Sequence, residues 1–264
     1  MNTLPQRIIC LTTETVEVLY MLGEQDRIVG ISGYTTRPAI ARQEKPKVAA
    51  FTTAKIDKIL ALKPDLVLGF SNLQADIAAA LIRAGIEVHV FNQRSIEDIF
   101  RMIITTGRLV GATSKAENIV QALESQIAAA RNSASTLPRK PKVYFEEWND
   151  PMMCSIRWAA ELIDIAGGED CFPELSQLHS ATERIVTAAQ VLERMPDIVI
   201  GSWCGKKFKP TEIISRPGWH VMPAVKNKMV FEIKSADILQ PGPSIFLHGL
   251  QQLQTIMQQW GKTQ

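Results

Sequence analysis

The side chains able to do chemistry in this 264-residue chain are scattered rather than grouped. Cys10, Cys154, Cys171 and Cys204 show no CxxC spacing, and His89, His179, His220 and His248 are equally dispersed. A zinc site is therefore not expected, and the thiols read as separate, partly buried groups. Glu146 and Glu147 invite comparison with the acid–base pair of a glycosidase. Neighbours along a strand point to opposite faces, however, and cannot easily address one bond. The sequence lacks GxxxxGKS/T, GxGxxG after the first apolar run, HExxH and GxSxG. What remains is a set of aromatic and polar residues that each follow a short apolar run. They are Thr12 and Thr13; Tyr34 and Arg37; Phe51 and Thr52; Phe70, Ser71 and Asn72; Glu146, Glu147 and Trp148; Trp203 and Cys204; and Asp237. Only 6% of the chain is aromatic, so rings gathered at such places need an explanation.

Ligands of open parallel sheets bind beyond the carboxyl ends of the strands. Aromatic rings there suit a large, flat, partly apolar ligand that a few polar groups orient. Phe70 and Trp203 stand at matched places after two similar apolar runs. Glu147, Lys206 and Arg216 would supply orienting charge, Lys206 from the basic stretch beside Trp203 and Arg216 from a Pro-Gly turn that also presents Trp219. Tyr34 is the only tyrosine placed at this surface. His89 ends an apolar run and reads as a core or strand-edge residue.

The elements that must hold these residues alternate between strand and helix, the signal of a doubly wound α/β fold. One unit occurs twice: Ile59 to Gly69 returns as Val191 to Gly201, 132 residues later in the 264-residue chain. In each copy a Pro-Asp pair closes a helix and a short run apolar on both faces follows, as in a strand buried within a parallel sheet. Two similar α/β lobes are therefore predicted, over 1–112 and 138–264, with a ligand cleft between them. The connecting segment, 113–137, opens with Ser114-Lys115-Ala116-Glu117, which has the form of a capping box. No Pro or Gly falls between Ser114 and Arg131, so about 18 residues form a stiff rod of roughly 27 Å that limits hinge motion.

Whole-chain quantities narrow the class. At 46% hydrophobic the chain can bury a sizeable core, and a net charge of +2 does not suggest a nucleic-acid partner. No apolar run approaches the ~18 residues of a membrane span. The first residues lack the charged start, apolar stretch and small-residue cleavage site of an export signal. On that reading the protein works in the cytoplasm, or its signal is missing from this chain.

Arg7-Ile8-Ile9-Cys10-Leu11-Thr12 with Glu17, Val29 to Tyr34, Leu60-Ala61-Leu62-Lys63-Pro64-Asp65-Leu66-Val67, Ala166-Gly167-Gly168-Glu169, Pro223 to Asn227 and the Gly249-Leu250 helix resemble the helical-backbone class of periplasmic substrate-binding proteins. That family serves ABC importers of vitamin B12 and ferric siderophores. The resemblance implies two Rossmann-like lobes with mainly parallel sheets, one connecting helix, a shallow cleft with little closure, a monomer, and no intrinsic cofactor. It also implies a periplasmic or extracytoplasmic location and partnership with an ABC permease and ATPase. The expected ligand is a cobalamin-like corrinoid first, and a ferric siderophore or haem second. Tyr34, Phe51, Phe70, Trp148, Trp203 and Asp237 fall where B12-binding members place cleft residues. Docking in the family uses acidic lobe tips; Asp76 lies near the first, but the second falls at the basic stretch Lys206 to Lys209. Thr13 stands where the family commonly has Pro. The alternatives are a cytoplasmic corrinoid-handover protein, and an enzyme working through Cys204 or the glutamate pair. A purely structural role leaves the strand-end rings without a motive.

Overall fold

The computed structural model describes residues 3–263, which form two compact units dividing between Ala122 and Leu123. In the first unit, strands β1 (Ile8–Cys10), β2 (Ile28–Ser32), β3 (Lys47–Ala49), β4 (Leu66–Phe70) and β5 (Val88–Phe91) form one parallel sheet in the order β3-β2-β1-β4-β5. The chain winds outward from β1 to β3, then restarts at β4 on the other side of β1. The topological switch point therefore lies at the carboxyl end of β1. Every residue of β4 is buried, as expected for a strand covered on both faces.

The second unit is a sheet in the order β10-β9-β6-β7, built from β6 (Lys142–Asn149), β7 (Met152–Cys154), β8 (Glu169–Asp170), β9 (Ile198–Gly201) and β10 (Val230–Glu232). Strand β8 runs parallel to the start of β6, and β7 pairs antiparallel with its end. The two-residue β8 and the antiparallel β7 are too short to leave a sequence pattern. Tyr144, Phe172, Val199, Trp203 and Trp219 make the core of this unit.

The repeated Pro-Asp corner does the same work in both units. Lys63 (φ 47°) and Met195 (φ 49°) take the left-handed conformation just before the proline and turn the chain out of the helix. The aspartate that follows then receives the backbone at the start of the neighbouring strand. Asp65 accepts from the N–H groups of Gln6 (2.7 Å) and Arg7 (2.9 Å), and Asp197 accepts from the N–H of Lys142 (2.8 Å). Arg139 adds a two-pronged ion pair to Asp197 at 2.7 and 2.8 Å. These contacts lie at the amino ends of the strands, so the most legible motif of the sequence sets register rather than binding a ligand. The glycines that close each repeat make room at the other end. A side chain at Gly69 would meet Gln74 Oε1 at 2.9 Å, and one at Gly201 would collide with the Phe208 ring.

The long helix spans Thr113–Ala134 and buries Ala116, Leu123 and Ala130. Ser114 does not cap it. The Ala112 carbonyl already accepts the Ala116 N–H, so Ser114 lies inside the first turn. Capping boxes occur instead at Ser95 with Asp98 and at Thr187 with Gln190. Among the described residues no helix is long and apolar enough to cross a membrane.

Candidate functional site

In the first unit one buried amide organises the strand ends. Gln74 is fully buried; its Nε2 donates to the carbonyls of Phe51 (2.8 Å) and Leu11 (3.4 Å), and its Oε1 accepts the Phe70 N–H (2.9 Å). It thus ties together the ends of β1, β3 and β4. Nothing in the local sequence distinguishes it from a surface glutamine. Phe51 and Phe70 are brought together at 6.3 Å between ring centres, with the Arg94 guanidinium 5.3 Å over Phe70. Phe70 itself is 6% exposed, so it backs Phe51 more than it presents a face. Tyr34 stands out at 60% exposure after β2, on a turn held by Arg42 through the carbonyls of Gly33 and Thr35.

Beyond β1 lies the first helix, Thr13–Leu22, whose second residue, Glu14, is 4% exposed. Its carboxyl group meets the hydroxyl of Thr13 at 3.5 Å and the Gln93 amide at 3.4 Å, both long contacts. Burial pushes its pKa up to about 7, although its own backbone N–H and the Thr12 and Thr13 hydroxyls favour the charge.

In the second unit the expected charges are already engaged. Glu146, fully buried at the end of β6, accepts from Tyr144 Oη (2.9 Å), Trp203 Nε1 (3.1 Å) and both terminal nitrogens of Arg216. Arg216, expected to orient a ligand, instead neutralises this carboxylate and lies 4.6 Å over the Trp219 ring. Glu147 pairs with Arg184, which is 1% exposed and also donates to the Cys154 carbonyl at 2.8 Å. The two glutamates thus face different partners, as the alternation of a strand requires.

Trp203, expected on the ligand face, is 3% exposed and belongs to the core of its unit. Phe208 packs edge-on at 4.9 Å and Lys206 lies 5.1 Å over the indole. The reason is Gly201, whose missing side chain lets Phe208 fold over the end of β9. Lys206 also donates to Asn149 Oδ1 at 3.1 Å. Trp148 is half-buried, its indole N–H donating to the Asp150 carbonyl at 2.8 Å. Asp237 is half-buried and accepts from the Gln252 amide at 2.9 Å.

Nucleophilic chemistry finds no support in the thiols. Burial pushes Cys10 and Cys154 up to about 12, and raises Cys171 and the more accessible Cys204 as well. A reactive cysteine needs the opposite shift. Among the described residues no three His, Cys, Asp or Glu side chains gather as metal ligands.

Comparison with known proteins agrees with this architecture. An uncharacterized ABC transporter substrate-binding lipoprotein of Bacillus subtilis is 24% identical over 258 residues, covering 94% of this chain and 79% of its own. A vitamin B12-binding protein of Vibrio parahaemolyticus is 23% identical over 246 residues, covering 90% and 84%. The crystal structure of a possible iron-binding, periplasmic solute-binding protein of Staphylococcus epidermidis superposes with a TM-score of 0.83 at 22% identity, over 96% of this chain and 98% of that one. The sequence model of the periplasmic binding proteins matches residues 8–236, and the chain therefore belongs to the periplasmic binding protein family.

Proposed function

We propose that this protein captures a flat, metal-centred macrocycle or chelate for an ABC importer, with a cobalamin-like corrinoid as the first ligand and a ferric siderophore or haem as the second. The observation that carries the reading is that each unit, taken by itself, has rings at the carboxyl ends of its strands: Tyr34 and Phe51, backed by Phe70, in the first, and Trp148, packed against the cluster that holds Trp203, in the second. Burying flat apolar area against such rings stabilises a complex by roughly 25 cal/mol per Å². Lys206, over the Trp203 ring, and Glu147, next to Trp148 in the chain, provide charge there and Asp237 a carboxylate after β10, whereas Arg216 acts through Glu146, which accepts the Trp203 indole N–H.

The name of the Bacillus subtilis relative, an ABC transporter substrate-binding lipoprotein, supports partnership with an ABC permease and ATPase, and the family's description supports work on the outer side of the cytoplasmic membrane. The protein works in this reading as a monomer that turns over no substrate. Titration with cyanocobalamin, followed by quenching of tryptophan fluorescence, tests the proposal; saturation at micromolar ligand is expected. A flat titration, with ferric siderophore and hemin equally inert, would overturn it.

A further inference from the structure

The rings of the second unit lie at the carboxyl ends of its strands, but a cavity of about 400 Å³ opens at the opposite, amino ends. Three segments wall it: the last turn of the long helix, with Arg131; the turn from Leu137 to Lys140 that leads into β6; and Asp164 to Gly167, just before β8. Lys140 precedes Trp148 by eight residues, almost all of them strand β6. At the rise of an extended chain, roughly 25 Å separates the cavity from that ring.

Three cations and one carboxylate line the cavity, together with the apolar side chains of Leu137 and Ile165. Arg139 is already committed. Its terminal nitrogens hold Asp197 at 2.7 and 2.8 Å, and its guanidinium lies 4.7 Å over the Trp260 ring. Lys140 donates to Asp164 Oδ1 at 2.7 Å, yet the two side chains are 59% and 62% exposed. Such a solvated pair contributes little to stability, so another anion can take the place of Asp164. Arg131 makes no ion pair among the described residues. The lining thus offers one uncompensated guanidinium and one ammonium whose partner is exchangeable.

We infer that this cavity is a second ligand site, for a phosphate ester of a small alcohol such as glycerol phosphate, free or as a lipid headgroup. Arg131 and Lys140 take the phosphate. A guanidinium fork and an ammonium, brought in from separate segments, suit the several oxygens of a phosphate better than the two of a carboxylate. A bare ion occupies only part of a cavity of about 400 Å³, since one water takes roughly 30 Å³. The carbon skeleton of an ester fills more of it, against Leu137 and Ile165. A volume of this order falls at the lower end of small-molecule sites. The site stands apart from the macrocycle reading and does not depend on it.

Titration calorimetry at low ionic strength tests the inference on the full chain with glycerol 3-phosphate, inorganic phosphate, succinate and glycerol. Glycerol 3-phosphate should bind saturably and several-fold more tightly than inorganic phosphate or succinate, and glycerol should not bind. Arg131→Gln and Lys140→Gln should each weaken the ester about tenfold, as expected when one charged hydrogen-bonding partner is lost. Both positions are exposed, so the melting temperature and the cyanocobalamin titration should match those of the unsubstituted chain. Flotation with phosphatidylglycerol vesicles, against vesicles given the same charge by oleic acid, separates the two sources. Selective flotation that Arg131→Gln abolishes, with the free ester inert, assigns a lipid headgroup; binding of the free ester without flotation assigns a soluble ligand. Inertness toward both, succinate binding as tightly as the ester, or unchanged affinity in both variants would overturn the inference, whatever the macrocycle titration shows.

Discussion

Strands β1 and β6 each lead to a buried glutamate, yet Glu14 and Glu146 differ in every interaction that matters. Glu146 is fully buried and receives a tyrosine hydroxyl, an indole N–H and a bidentate guanidinium. Glu14 is almost as hidden, but beside its own backbone N–H and the neighbouring threonine hydroxyls it has only a long contact of 3.4 Å to the Gln93 amide, and no cation among the described residues. Burial alone disfavours a charge; partners decide whether it stays. The second unit has therefore converted its carboxylate into architecture, while the first keeps one whose protonation burial leaves open.

Breaking the satisfied side should have the largest effect. Arg216→Ala leaves the buried Glu146 without its cation, and should cost about 3–5 kcal/mol of unfolding free energy in urea titration. Adding Glu146→Gln to that variant should recover much of the loss; a loss below 1 kcal/mol for Arg216→Ala would show the pair to be dispensable.

The unsatisfied side should appear as a pH dependence. Unfolded Glu14 titrates near 4.5 and folded Glu14 near 7, so the folded form holds the extra proton between those values. Stability from this group is present below about pH 4.5 and is lost as pH rises through 7, by on the order of 3 kcal/mol. Asp170, raised to about 6 by burial, acts in the same direction at lower pH. Asp98 and Asp197 act oppositely, because their hydrogen bonds hold them below the usual range and their contribution is lost in acid. Subtracting the stability curve of Glu14→Gln from that of the unsubstituted chain isolates the first term, and a flat difference from pH 5 to 8 would refute it.

Gln74→Ala removes the tie between three strand ends and should cost about 1–3 kcal/mol. Because that tie positions Phe51 and Phe70, ligand affinity should fall with it; unchanged affinity would remove Gln74 from the site's support. The smallest change in stability belongs to Trp148→Ala, below about 1 kcal/mol at a half-buried position, with a loss of ligand affinity near tenfold. Trp203→Ala should behave in reverse, destabilising by about 3–5 kcal/mol through a core cavity. Equal behaviour of the two variants would erase the distinction between a presented ring and a packed one.

Much of the framework was readable from the chain. The Pro-Asp repeat announced two like units, and strands covered on both faces appeared as short uniformly apolar runs, because periodicity depends on neighbours a few residues away. The helix over 113–134 was legible for the same reason, although its first turn was displaced from Ser114 by backbone bonding that begins at Ala112. The short strands Met152–Cys154 and Glu169–Asp170 left no pattern, since they exist only by pairing with β6.

The residue types at the strand ends were likewise written in the sequence: rings, glutamates and basic groups after each apolar run. Which of them face outward was decided only by tertiary structure. Arg216 finds Glu146 across 70 residues and Arg184 finds Glu147 across 37. Phe208 closes over Trp203 because Gly201 leaves it space. Local order follows from sequence spacing, but neutralisation and burial depend on which distant side chains the fold brings within hydrogen-bonding or van der Waals reach.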